Sequence, residues 1–183
     1  MGFIITFVNE KGGVGKTSCC YNMAWELANM KKSVLMIDMD GQRSNLTYYA
    51  GIEKNEDTLT MADLLRKNVN PSEAVQKVKD NLFIVPATQD VTNIGSTVKL
   101  RKMKDVIAAL ERHYDYVFID VKHRELSDTV VGLFETGQQV GFFQRNPASV
   151  GFQRIDGSFG EYFDVGRIAA QMSSVENGEF DDL

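Results

Sequence analysis

The chain has 183 residues, enough for one domain with a sizeable core. Its hydrophobic (43%) and charged (25%) fractions are ordinary for a globular protein in water, and a net charge of -5 argues against wholesale electrostatic binding to nucleic acid, though not against a local basic patch. The two cysteines, Cys19 and Cys20, are adjacent in sequence, and neighbours on a helix point apart, so they read as reduced core side chains rather than as a disulfide. No apolar run reaches membrane-spanning length, and the first one leads straight into a glycine-rich segment rather than a cleavage site; a cytoplasmic protein without a membrane partner is expected.

Met1 to Val8 is almost continuously apolar, as a buried parallel strand would be. It runs into Asn9-Glu10-Lys11-Gly12-Gly13-Val14-Gly15-Lys16-Thr17-Ser18. A helical pattern continues from Thr17 to Met30, with Cys20, Met23, Ala24, Leu27 and Ala28 on one face. Strand, glycine-rich turn and helix is the setting of a phosphate-binding loop. Glycines let backbone N–H groups converge on phosphate oxygens, and the helix start adds its own free N–H groups and positive dipole end. Lys11 to Ser18 are therefore the candidate nucleotide-binding residues, with Lys16 reaching the β- and γ-phosphates and the Thr17 hydroxyl ligating Mg²⁺. Ser33 to Ile37 is a second buried strand, which makes a β-α-β unit and places its functional end at the strand carboxyl ends. Asp38 and Asp40 stand there, two carboxylates able to hold a hydrated Mg²⁺ or to orient an attacking water.

Leu46 to Gly51 reads as a short helix or turn. Thr60 and Asp63 form a capping box for a helix to about Lys67, and Asn70-Pro71 opens another short helix. Leu82 to Ala87 is a third strand. Thr97 to Arg112 is a helix with Met103, Val106, Ile107 and Leu110 on its apolar face and Lys99, Arg101, Lys102 and Lys104 opposite, a charged face best read as solvated. Tyr114-Asp115-Tyr116-Val117-Phe118-Ile119-Asp120 is an apolar strand ending in one carboxylate, the arrangement that orients a Mg²⁺ shell. His113 and His123 read as solvated turn residues. A helix over Leu126 to Phe134, a weaker strand over Gln138 to Phe143 and a final helix from about Glu161 to Met172 complete the pattern, which degrades beyond Asn146-Pro147. Ser173 to Leu183 is acidic and polar. With no repeat and no linker, residues 1–183 read as a single nucleotide-binding domain, divergent after about residue 145.

The loop departs from G-x-x-x-x-G-K-[ST] in carrying Glu10 where glycine is usual, and it adds a second lysine, Lys11. This K-G-G-x-G-K-[ST] form resembles the deviant Walker A loop of the ParA/MinD family. The Asp38-Met39-Asp40-Gly41-Gln42 run is similar to the family's D-x-D-P-Q, and Tyr114 to Asp120 to its Y-D-Y-hydrophobic-I-D strand. The resemblance implies ATP and Mg²⁺ as ligands and an ATP-dependent homodimer in which Lys11 contacts phosphates bound by the other subunit. It also implies a catalytic set of Lys11, Lys16 and Asp40, with Asp40 positioning the hydrolytic water, and a metal set of Thr17, Asp38 and Asp120. Two departures stand out. Gly41 replaces a proline, and Val121-Lys122-His123-Arg124 replaces the T-P-P that comes after the last aspartate in relatives. The C-terminal stretch carries neither the basic residues of many ParA proteins nor the membrane helix of MinD.

The expected fold is α/β: a mostly parallel P-loop NTPase sheet with helices on both faces, three layers in all. The expected function is a ParA-like ATPase that dimerises on ATP, hydrolyses it slowly and positions DNA or other cargo with an adaptor or partition protein, direct contact with DNA being left open. The alternative is a nucleotide-binding switch that does not hydrolyse, for which the altered turn after Asp120 speaks.

Overall fold

The computed structural model describes residues 2–7, 13, 15–41, 45–93, 96–121, 140–146 and 149–154. Its centre is a sheet whose interior strands are apolar on both faces, which only a covering layer on each side can satisfy. In chain order the elements are β1 (Phe3–Phe7), α1 (Lys16–Asn29), β2 (Val34–Asp38), α2 (Asn45–Tyr49), α3 (Met61–Arg66), β3 (Gln76–Lys79), β4 (Leu82–Val85), α4 (Ser96–Leu110), β5 (Tyr116–Asp120), β6 (Val140–Asn146) and β7 (Ser149–Arg154). The strand order is β3-β4-β2-β5-β1-β6-β7. The run from β4 to β6 is parallel, and an antiparallel strand closes each end.

Alternation along the strands sorts side chains into two cores. Val34 and Met36 of β2, Phe118 of β5 and Phe7 of β1 pack against Cys20, Ala24, Leu27 and Ala28 of α1 and Leu46 of α2. Leu35 and Ile37 of β2, with Val117 and Ile119 of β5, pack on the other face against Leu64 and Leu65 of α3 and Met103, Val106, Ile107 and Leu110 of α4. The expected three-layer arrangement and the apolar faces of α1 and α4 are present. The capping box at α3 is also made: Thr60 Oγ1 and the Thr60 N–H both donate to Asp63 Oδ2, at 2.8 and 2.9 Å.

The structure differs from expectation around residue 70. Asn70 does cap, its Oδ1 accepting from the Ser72 N–H at 3.1 Å, but the chain then makes only one 3-10 turn over Pro71–Ala74 before entering β3. Val75 is extended, and Gln76 to Lys79 pairs antiparallel with β4 across a turn where Asn81 takes φ 63°. At the other edge, the weak strand expected over Gln138 to Phe143 lies at Val140–Asn146, parallel to β1. An unanticipated β7 folds back on it. The helices expected over Leu126 to Phe134 and Glu161 to Met172, and His123, lie outside the described residues.

Candidate nucleotide-binding site

The glycine-rich turn joins β1 to α1 at the carboxyl end of the sheet. Gly13 and Gly15 take φ values of 73° and 91°, a left-handed backbone that side chains with a Cβ adopt only at a cost of roughly 1–2 kcal/mol. Nothing lies within 4 Å of a Cβ added at either one, so glycine is required there by backbone conformation and not by crowding. Gly15 caps α1 without any side-chain hydrogen bond, and the first turn of α1 holds no acidic residue. The positive end of a 14-residue helix and its unpaired N–H groups are thus left to an external anion. Gly15, Lys16 and Thr17 are half-buried at this turn and Ser18 is exposed; Lys11, Gly12 and Val14 lie outside the described residues.

The carboxylates reach this point through strand register. Asp120 of β5 is the register partner of both Phe7 on β1 and Asp38 on β2. Phe7 faces α1, so both aspartates also lie on the α1 face, beneath the start of that helix. The Met39 N–H donates to the Asp120 carbonyl at 2.8 Å and locks the two strand ends together.

The two buried carboxylates are treated differently by their surroundings. Asp38 is fully buried, and both of its oxygens are engaged by donors of this chain. Oδ1 accepts from the Asp40 N–H at 2.9 Å; Oδ2 accepts from the Thr47 N–H at 2.9 Å and the Thr47 hydroxyl at 2.6 Å. Burial raises its pKa, and these bonds oppose the rise. Asp120 is 1% exposed, and neither of its carboxylate oxygens has a hydrogen-bond partner among the described residues. Burial pushes its carboxyl up to about 7; Thr17 and Lys16 lower it, and Asp38 and Asp40 add repulsion. The Thr17 hydroxyl is thus the neutral group nearest in effect to the Asp120 carboxyl, and it favours the charged form.

A buried carboxylate with no donor of its own is costly unless a cation faces it. Thr17 beside Asp120 is the hydroxyl–carboxylate pair that suits Mg²⁺, a hard cation taking oxygen ligands. Among the described residues no group of three or more His, Cys, Asp or Glu stands together as a ready-made metal site. Asp38 is less suited than Asp120 to direct ligation, since its oxygens already hold Thr47 and Asp40. Asp40 is half-buried on the segment leaving β2.

Two residues were not assigned to this site from sequence, Thr47 and Cys20, the latter read only as a core side chain. Thr47 sits nine positions beyond the aspartate it binds, and nothing local marks it. Cys20 is fully buried next to both carboxylates; burial first, then Asp120 and Asp38, hold its thiol well above its ordinary range, so it is an inert neighbour. Both cysteines are free, as expected. No helix among the described residues is long and apolar enough to cross a membrane.

A family model described as AAA domain matches residues 2–131, more than half of the chain. Among curated proteins, the septum site-determining protein MinD of Thermotoga maritima is 37% identical over 122 residues, which cover 66% of this chain and 44% of that protein. The chain thus spans about half the length of the curated relatives it matches. Among solved structures, a putative plasmid partition protein from Borrelia burgdorferi B31 bound to AMPPNP superposes with a TM-score of 0.66 at 27% identity, covering 78% of this chain and 61% of that one. The MinD protein of Pyrococcus horikoshii in complex with Mg-ADP superposes with a TM-score of 0.62 at 26% identity, covering 78% and 69%. A glycine-opened helix start over a register-matched pair of buried aspartates, together with these matches, makes the chain a member of the ParA/MinD family of P-loop ATPases.

Proposed function

We propose that this chain binds Mg-ATP at the turn before α1, dimerises on it and hydrolyses it slowly to position DNA or another cargo. The observation that carries the reading is Asp120: a buried carboxylate whose oxygens meet no hydrogen-bond partner among the described residues, next to Thr17 and Lys16 and below a helix start with no side-chain cap. Nucleotide- and magnesium-bound relatives with partition and septum-site names support it.

In this reading the N–H groups from Gly12 to Thr17 cradle the phosphates, and Lys16 balances charge at their outer end. Thr17 and Asp120 hold Mg²⁺, which when bound neutralises charge building on the phosphate oxygens. Asp40 orients the attacking water, and Lys11 extends to the phosphates of a second copy. Catalysis in such a site is mainly positioning and charge stabilisation. Cargo and stimulating partner are those of the family: an adaptor or partition protein, with any contact to DNA confined to a local patch on an acidic chain.

The sequence after Val121, Lys122-His123-Arg124, favours a second reading in which the nucleotide is bound but not hydrolysed. Phosphate release by wild type beside Asp40→Ala separates the two. Turnover in wild type that falls at least tenfold in the variant supports the ATPase; background release from both supports the switch.

A further inference from the structure

We propose that Thr47 is a positioning residue for hydrolysis: its hydroxyl, held between Asp38 and Ala87, fixes the backbone that carries Asp40. The inference rests on the proposed role of Asp40 in orienting the water. Thr47 is 1% exposed on the five-residue helix α2. Its hydroxyl donates to Asp38 Oδ2 at 2.6 Å and accepts from the Ala87 N–H at 3.0 Å. Its own N–H donates to the same Asp38 oxygen at 2.9 Å. The other Asp38 oxygen accepts from the Asp40 N–H at 2.9 Å. Ala87 is gripped from the far side as well, its carbonyl accepting from Lys54 Nζ at 2.8 Å.

One hydroxyl therefore joins three elements: the end of β2, helix α2 and the segment leaving β4. A buried threonine that merely satisfies itself bonds back to a carbonyl three or four residues earlier in its own helix. Thr47 instead commits both its donor and its acceptor to groups 9 and 40 residues away. Asp38 is the relay. With one oxygen anchored by Thr47, its other oxygen holds the Asp40 amide at a fixed place relative to α1. The geometry gives Asp38 the same indirect role.

Valine matches threonine in shape but removes both the donor to Asp38 and the hydroxyl oxygen that the Ala87 N–H donates to. Displacement of a reacting group by about 1 Å costs on the order of 100-fold in rate. The test uses the full chain with Thr47→Val and Thr47→Ser, read in two ways. In steady-state ATP hydrolysis, Thr47→Val should lower kcat by about 10- to 100-fold, with KM and fluorescent ATP-analogue affinity within about threefold of wild type, and Thr47→Ser should restore most of kcat. In hydrogen exchange without nucleotide, the Asp40 and Ala87 amides should exchange faster in Thr47→Val and at the wild-type rate in Thr47→Ser. If Thr47→Val does not fold, Thr47→Cys, of similar size and with a weak donor and acceptor, takes its place. The proposal is overturned by unchanged turnover and unchanged Asp40 exchange in Thr47→Val, or by Thr47→Ser behaving like valine. A wild-type protein with no turnover overturns the hydrolysis reading instead, and the Asp40 exchange rate then decides the positioning claim alone.

Discussion

Replacing Asp120 by asparagine should make the nucleotide-free protein more stable at neutral pH, not less. The Asp120 carboxyl titrates near 7 in the folded protein against 3.8 for the free side chain. The folded state therefore holds this proton more tightly than the unfolded chain does. Below pH 3.8 both states are protonated and the site contributes nothing. As pH rises from there to 7, the unfolded chain has released its proton and the folded one has not, so stability falls with pH. Each pH unit in that window is worth about 1.36 kcal/mol, which sets an upper bound of about 4 kcal/mol above pH 7. Repulsion from Asp38 contributes to the shift, so about 2–4 kcal/mol is the expected range. The asparagine amide cannot ionise and escapes this loss. Urea unfolding followed by Trp25, the one tryptophan, at about pH 4.5, 6 and 8 reads the difference. The deficit of wild type against Asp120→Asn should grow from about 1 kcal/mol near pH 4.5 to its full size at about pH 8. Adding Mg²⁺ with an ATP analogue should then raise wild-type stability by about 2.7 kcal/mol at 100 times its Kd, and raise the variant by much less. Parallel pH profiles for the two proteins would refute the idea that Asp120 sits unpartnered and awaits a cation.

Gly15→Ala should cost about 1–2 kcal/mol in thermal or urea unfolding, because φ is 91°, and should weaken ATP-analogue binding by at least about tenfold, as the helix start is displaced. Lys11→Ala should leave binding to one subunit nearly intact but abolish the shift toward dimer that Mg-ATP produces in light scattering; a dimer indifferent to both nucleotide and Lys11 would contradict the assigned role. Thr60→Ala, which removes the cap of α3 on the opposite face from α1, should lower stability by about 1 kcal/mol and leave nucleotide affinity unchanged. An effect of Thr60→Ala on affinity would show that the two faces of the sheet are coupled.

The central fold was legible because its signals are local. Phe3 to Phe7, Val34 to Ile37 and Val117 to Ile119 are near-continuous apolar runs, and the helical stripes of α1 and α4 lie between them, which fixes parallel strands and crossovers. The placement of Gly15, Lys16, Thr17 and Asp120 was legible for a similar reason: each stands at the end of a strand or the start of a helix that its own neighbours announce. The edges were less so. Gln76 to Lys79 is a short, polar edge strand, and it resembles the end of the turn before it more than a strand. The hydrogen bonds of Asp38 were not legible because its partners are not local. Nothing in Asp38-Met39-Asp40 says that its oxygens are committed to Thr47 and Asp40, whereas those of Asp120 meet no hydrogen-bond partner among the described residues. Two aspartates with similar sequence neighbourhoods thus differ in chemistry through contacts only the folded chain creates.

The most direct test is titration calorimetry of a non-hydrolysable ATP analogue, with and without Mg²⁺, against wild type, Lys16→Ala and Asp120→Ala. The expected result is binding to wild type that Mg²⁺ tightens by at least tenfold, loss of most binding in Lys16→Ala, and retained but magnesium-independent binding in Asp120→Ala. Binding to wild type that ignores magnesium, or that survives unchanged in Lys16→Ala, would contradict a triphosphate held at the start of α1.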